Sequence, residues 1–432
     1  MTAPRVYILP VAGLAEPDRL FLARLGPLDG PVLCHEGNRA ALPACGRVET
    51  FGGGNLAPCR TDLADLARRA GAPSATAVVV APGGPTPPYV LTALSLMGFE
   101  RAARLDEEGE SPVVLPRRVD PRDVRSVLVK AHGGIGNVVM LSFLARASAD
   151  QGWETWFCPT FDQGGGSLAD AFRGTLPGGV RVVGPEELDG LSPDLCLNVE
   201  DHANRREEDM FHAPYRVGVE GHGPGFAARF FANVTGREAD PALTFVGCDS
   251  VPVPPELRGR VVVCPGSKVG WDSKRWPHMD ALLRRLENPV VLCRPADLEA
   301  YARLDFLRPI DAPGATFVTD ATLAGAVSLL RAARGVVAND CGLAHLAAAA
   351  GAPTLVLFGP SSLVRNRPLN PAVRCLSLGL DCQPCQGRKS GPGWLRPGEF
   401  SCELGYACLR DLSVDRVLAE ARTLFNANEV RA

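Results

Sequence analysis

The chain has 432 residues, 46% hydrophobic and 22% charged, which is length and apolar content enough for two or three domains with sizeable cores. A formal net charge of −3 and 6% aromatic residues argue against a nucleic-acid footprint, a polybasic membrane surface and base-stacking platforms. The opening MTAPRVYILPVAGLAEPDR has no basic leader and no stretch approaches the ~20 apolar residues of a membrane span, so the expectation is a cytoplasmic protein, with at most peripheral membrane association.

In chain order, strands are expected at 6–10, 31–34 and 76–80 and helices at 18–25, 59–70 and 89–97. This alternation predicts a small α/β domain over residues 1–120, with no catalytic grouping in it. The acidic, turn-rich run Asp106-Glu107-Glu108-Gly109-Glu110-Ser111-Pro112 reads as a linker. A second domain is expected over 124–250. It has a strand at 125–130, a glycine loop Gly133-Gly134-Ile135-Gly136-Asn137, a helix at 138–149, and strands at 153–158, 180–183 and 195–198. Residues 202–209 read as a solvated helix face, 216–223 as a loop, and Pro252-Val253-Pro254-Pro255 as a stiff linker.

A third domain is expected over 259–432. Strand 261–264 runs into Pro265-Gly266-Ser267. Strand 335–338 ends at Asn339-Asp340-Cys341-Gly342, where a small-residue helix carrying His345 begins. Strand 354–358 ends at Gly359-Pro360-Ser361-Ser362, and 414–425 reads as a terminal helix capped by Ser413. Three parallel-type strands thus end in polar, glycine-rich loops. Ligands of open α/β sheets sit outside the carboxyl ends of the strands, and helix N-termini there favour phosphate. Ser267 with Lys268, Lys274 and Arg275 suits a diphosphate, although Lys274-Arg275 would equally solvate a helix start at Trp276-Pro277. Asp340 reads as a helix N-cap, Gly342 as a point of close ligand approach, and His345 either as a site residue or as a packed core histidine.

The set Ser267, Lys274-Arg275-Trp276-Pro277, Asp340-Cys341-Gly342, His345-Leu346-Ala347 and Phe358-Gly359-Pro360 resembles the C-terminal half of the glycosyltransferase family 9 heptosyltransferases. Val127-Leu128-Val129-Lys130 followed by Gly133 to Asn137 resembles that family's N-terminal loop, and together the motifs span 124–425. The resemblance implies a GT-B architecture, two Rossmann-like domains facing a cleft, here preceded by an extra small α/β domain. It implies transfer of a sugar from a nucleotide-sugar donor such as ADP-heptose to lipopolysaccharide core, another surface glycan or a protein. Helix dipoles and cations, rather than a metal, would stabilise the leaving group. It assigns Ser267, Lys274, Asp340, Gly342 and His345 to the donor, and Lys130, Gly134 and Gly136 to the acceptor-side loop. Oligomerisation is compatible with it.

The pattern departs from the family at Asn137, where the family carries the Asp proposed as general base. A neutral amide can orient an acceptor hydroxyl but cannot take its proton. His132, five residues earlier, is a side chain of the type that titrates near neutrality and is the candidate substitute base. The alternatives are a non-catalytic nucleotide-sugar-binding or scaffold protein, or a glycine loop that is only a tight turn.

Most of the 14 cysteines are isolated in apolar contexts and read as small core residues. The exception is Cys382-Gln383-Pro384-Cys385 with Cys402 and Cys408, spaced so as to offer four thiolates to a structural zinc or iron, with Cys375 as a spare. Some members of the resembled family are described as carrying an iron finger. Redox-active or plainly reduced thiols are the competing readings.

Overall fold

A computed structural model describes residues 4–11, 14–52, 56, 62–71, 74–81, 86–161, 168–174, 176–200, 215–220, 223–247, 251–268, 270–385 and 402–429. The expected charged helix face at 202–209 and the segment between Cys385 and Cys402 lie outside the described residues.

The first unit comprises β1 (Arg5–Leu9), α1 (Glu16–Arg24), β2 (Val32–His35), β3 (Val48–Phe51), α2 (Leu63–Ala70), β4 (Thr76–Val80), α3 (Pro88–Leu96), β5 (Arg101–Asp106) and β6 (Gly109–Val113). The sheet order is β3-β2-β1-β4-β5-β6, with only the β5–β6 pair antiparallel. The acidic run is therefore not a linker but the tip and return strand of a hairpin. Asp106 pairs with Gly109, the Asp106 carboxylate accepts the Glu108 N–H at 2.9 Å, and Gly109 has φ 115°. Tight hairpins and linkers draw on the same Asp and Gly residues, so composition alone does not separate them.

The second unit comprises β7 (Ser126–Gly133), α4 (Ile135–Leu141), α5 (Phe143–Asp150), β8 (Glu154–Phe161), β9 (Arg181–Val182), β10 (Leu195–Glu200), β11 (Tyr215–Glu220) and α6 (Pro224–Thr235), in the parallel order β11-β10-β7-β8-β9. The sequence predicts a loop at 216–223, yet most of that segment belongs to edge strand β11. The helix expected at 138–149 divides at Ser142, whose hydroxyl donates to the Val139 carbonyl at 2.8 Å and accepts the Phe245 N–H at 2.9 Å.

The third unit comprises β12 (Val261–Cys264), α7 (Met279–Leu283), β13 (Val290–Leu292), α8 (Pro295–Arg303), β14 (Thr316–Val318), α9 (Leu323–Arg331), β15 (Gly335–Asn339), α10 (Gly342–Ala349), β16 (Thr354–Leu357), α11 (Leu363–Asn366), β17 (Val373–Leu376), α12 (Ala407–Arg410) and α13 (Val414–Glu429). All six strands are parallel, in the order β14-β13-β12-β15-β16-β17. Buried on both faces, β12, β15 and β16 are apolar runs but for Asn339 at the end of β15 and Thr354 at the start of β16, as parallel strands require. The Ser413 hydroxyl accepts the Arg416 N–H at 3.3 Å, as an N-cap does. Counted from its own first strand, each of the three sheets has the doubly wound order 3-2-1-4-5.

The second and third units face one another as a GT-B pair. One apolar core runs through both, α4 packs on α10, and α9 packs on the 3-10 segment Leu168–Phe172. The α4–α10 approach depends on glycine. A Cβ at Gly136 would lie 2.6 Å from His345 Cδ2, and one at Gly342 would lie 2.8 Å from Ile135 Cβ. Thr244 and Asn370 tie the same two units by a 3.0 Å side-chain hydrogen bond. The first unit is joined to the second through α3, which packs against β11. Among the described residues, no helix is long and apolar enough to cross a membrane.

Gly136→Ala should lower stability by about 1–3 kcal/mol through overpacking against His345. Gly225→Ala, in α6 with open space around it, should be neutral or stabilising by up to ~1 kcal/mol. Urea unfolding of the two variants checks this, and a Gly136→Ala midpoint at or above wild type would mean that the helices do not meet there.

Candidate functional site

Strands β12, β15 and β16 are neighbours, so their exit loops form one edge of the third unit. At this edge Lys274 Nζ donates to Asp340 Oδ2 at 2.7 Å, with side chains only 13% and 5% exposed. Burial pushes the Asp340 carboxyl up. The Lys274 ammonium outweighs it, with smaller help from the Ser361 hydroxyl and His345, and holds the group below the usual carboxylate range. The Lys274 ammonium also sits over the Trp271 ring, 5.2 Å from its centroid. Asp340 is therefore not the cap of α10. Cys341 occupies the N-cap position without a side-chain cap bond, because the Asp340 carboxylate turns to Lys274 instead. An ammonium has three donors, so the one given to Asp340 leaves others for a ligand oxygen.

Arg275, next in sequence, has a different place. Its guanidinium is 3% exposed and donates to Asp272 at 2.9 Å, Asp297 at 2.8 Å and the Pro265 carbonyl at 3.2 Å. It braces the β12 exit loop from below and is not presented to a ligand. Asn339 is a residue that sequence reasoning does not single out. Fully buried at the end of β15, it donates from Nδ2 to the Pro265 carbonyl at 2.6 Å and accepts the Trp276 N–H at 3.1 Å. An amide at the end of an otherwise apolar strand, beside Asp340, is the signal that could have found it. Ser267 is buried in the braced loop, its hydroxyl donating to the Lys268 carbonyl at 3.3 Å.

The glycine loop of the second unit closes over this edge. A Cβ on Gly134 would lie 3.8 Å from Lys268 Nζ. Gly342 is expected from sequence to admit a ligand, but the close approach it permits is that of Ile135. His345 is buried against Gly136, between the two units. Asn137 lies in the first turn of α4, its N–H donating to the Gly134 carbonyl at 2.9 Å. Strand alternation puts Lys130 and His132 on the face of β7 that carries Leu128, opposite Val127, Val129 and Ala131, which pack towards α4 and α5. His132 Nδ1 lies 2.8 Å from Thr160 Oγ1.

Cys382, Cys385, Cys402 and Cys408 line one cavity together with Pro360 and Tyr406. The Cys408 thiol is pushed up to about 12, first by burial and then by the charges its three neighbouring thiols would carry. Among the described residues, however, no group of three or more His, Cys, Asp or Glu is arranged to hold a metal ion. Cys375 does not line the cavity; it lies on β17, packed against the apolar core. The cysteine turn grips the end of β16. Cys385 N–H donates to the Pro360 carbonyl at 2.9 Å, Gln383 Nε2 to the Gly359 carbonyl at 2.5 Å, and Leu409 occupies the space a Cβ on Gly359 would need.

Residues 237–393 match the family model described as glycosyltransferase family 9 (heptosyltransferase). The chain is 30% identical over 182 residues to lipopolysaccharide heptosyltransferase 2 of Escherichia coli, an alignment covering 40% of this chain and 48% of that protein. It is 29% identical over 176 residues to the protein of the same name from Salmonella typhimurium, covering 39% and 47%. The chain thus spans about half the length of the curated relatives it matches. Among solved structures, it is similar to the Escherichia coli ADP-heptose lipopolysaccharide heptosyltransferase II, with a TM-score of 0.46, 20% identity, and coverage of 70% of this chain and 99% of that one.

Lys274→Met strands the buried Asp340 carboxylate and should cost about 3–5 kcal/mol at neutral pH. In the wild type a depressed carboxyl contributes stability above the unfolded pKa of ~3.9 that is lost as pH falls through the folded value. In the variant burial dominates, the folded value rises, and protonation relieves the penalty. The stability gap between the two should therefore narrow as pH falls from 7 to below about 4, and thermal unfolding across that range measures it; a gap that stays constant would show that Asp340 does not depend on Lys274.

Proposed function

Because residues 237–393 match the model of glycosyltransferase family 9, we propose that the protein is a glycosyltransferase moving a heptose from a nucleotide-sugar donor such as ADP-heptose. The proposed acceptor is lipopolysaccharide core, another surface glycan or a protein. The observation that carries the reading is the Lys274–Asp340 pair, which joins the segments that follow the neighbouring strands β12 and β15.

In this reading the diphosphate lies along the β12 and β15 exits. Ser267 offers a hydroxyl, Lys274 its remaining donors, Lys268 a second cation, and the N-terminus of α10 its backbone N–H groups. As the bond to the anomeric carbon breaks, charge grows on the departing phosphate oxygen. A fixed cation and helix end lower that barrier without reorganising. Asp340 holds Lys274 in place and presents its carboxylate edge to the sugar hydroxyls. On the acceptor side, Asn137 orients the hydroxyl from the first turn of α4, while Lys130 and His132, on the opposite face of β7 near its carboxyl end, assist its positioning and take its proton. The first unit serves to select the acceptor or to join copies of the chain.

Asn137 in the first turn of α4 favours a second reading, a nucleotide-sugar-binding protein without turnover. The two separate in one experiment. ADP-heptose at about 100 times its dissociation constant should stabilise the chain by roughly 2.7 kcal/mol, with slow release of ADP. Lys274→Met and Asp340→Ala should each lose most of that stabilisation relative to their own unliganded baselines. Undiminished affinity in both would remove the site from these residues, and binding without ADP release in the presence of candidate acceptors would select the second reading.

The four-cysteine cavity is proposed as a structural zinc or iron site. Four sulfurs lining one cavity are the donor type a thiophilic cation takes, although the described residues are not arranged here to hold one, and four thiolates leave no open position for catalysis. The metal would supply cross-linking of the turn that grips β16. Elemental analysis of protein purified without a chelating column should find about one zinc or iron per chain, and four titratable thiols with no metal would establish the reduced-cysteine reading.

A further inference from the structure

We infer that the Thr160 hydroxyl fixes His132 as its Nδ1–H tautomer and so makes Nε2 the proton-accepting atom; the inference rests on the reading of His132 as the base. His132 and Thr160 are in register across the β7–β8 pair, and Nδ1 lies 2.8 Å from Oγ1. A neutral imidazole has one proton for two nitrogens, and the partner of one nitrogen decides which of them carries it. Thr160 Oγ1 also lies 3.4 Å from the carbonyl oxygen of Ala131, a group that can only accept. A hydroxyl has a single proton. Both contacts are made at once only when that proton is directed at Ala131 and Nδ1 is the donor to Thr160. The lone pair of the ring then resides on Nε2. With the opposite arrangement the ring would present N–H at Nε2 and could not receive a proton there.

The location suits the role. His132 stands near the carboxyl end of β7, shares its face with Lys130, and is two residues from Gly134, the glycine that faces Lys268 of the third unit. In the step this supports, the acceptor O–H bond breaks and its proton passes to Nε2. The oxygen electron pair forms the bond to the anomeric carbon, while the pair of the broken glycosyl–phosphate bond leaves with the diphosphate. The resulting imidazolium keeps its Nδ1–H on Thr160. Thr160 is thus a positioning residue acting through His132, and Asn137, which holds no basic lone pair, is relieved of the proton-transfer role.

The test uses the full chain labelled with ¹⁵N at its seven histidines, few enough for His132→Gln to identify the signal by its loss. The wild-type ring should show a protonated Nδ1 and an unprotonated Nε2. Thr160→Val, nearly equal in volume but lacking the hydroxyl, should shift the ring towards a mixture of tautomers, and Thr160→Ser should restore it. A wild-type ring protonated at Nε2, or a tautomer ratio that Thr160→Val leaves unchanged, overturns the inference. ADP release from ADP-heptose, with water as acceptor, tests the underlying reading separately. Thr160→Val should lower kcat about tenfold at unchanged KM for ADP-heptose, Thr160→Ser should recover it, and His132→Gln should lose at least as much. Undiminished ADP release in His132→Gln, with the tautomers as stated, would overturn His132 as the base while leaving the tautomer assignment standing.

Discussion

The two facing units of this protein meet where side chains are missing. Gly136 in the first turn of α4 and Gly342 at the start of α10 let the helices approach until His345 and Ile135 fill the space that two Cβ atoms would claim. That approach sets how the second unit meets the site. It brings the β7–α4 loop to the exits of β12 and β15, and it sets Gly134 against Lys268. Close packing of this kind has little tolerance, because interiors already lack voids into which a displaced ring could move.

Beneath that contact the third unit is held by buried polar groups whose partners come from distant parts of the chain. Arg275 joins Asp272 to Asp297, Asn339 joins the Pro265 carbonyl to the Trp276 N–H, and the Tyr301 hydroxyl donates to the Trp276 carbonyl. Buried ion pairs of this kind add little net stability, since desolvation offsets much of the attraction. Their effect here is geometric. They brace the β12 exit loop, in which Lys274 faces Asp340. The cysteine turn performs the same service for β16 by taking the carbonyls of Gly359 and Pro360.

How much of this can be read from the chain follows from the range of each interaction. Strands β12, β15 and β16 are legible because burial on both faces makes them near-continuous apolar runs. Strands β13 and β14, three residues each, are too short to show a period. Strand β11 reads as a loop and the β5–β6 hairpin as a linker, because glycine at 218 and 109 signals a break that pairing overrides. At the site, local motifs draw attention to Lys274 and Asp340, but nothing local says that they pair across 66 residues. The adjacent Lys274 and Arg275 look alike in sequence and differ in fate because one meets Asp340 and the other Asp272, Asp297 and the Pro265 carbonyl. Thr160 is invisible for the same reason, since its relation to His132 exists only through strand register.

The docking of α3 on β11 has a consequence for how the chain is made. Tyr89 and Leu96 at the two ends of α3 pack against the apolar core of the second unit, and β11 is the strand they lie beside. That strand leaves the ribosome about 120 residues after α3, which at ordinary synthesis rates is an interval of roughly 6–24 s. Through that interval the first unit can complete its own sheet, and Tyr89 and Leu96, which also border its core, lack only their second seat. The nascent chain therefore carries a timed vulnerability built into its order of elements, one that closes only when the second sheet acquires its last strand.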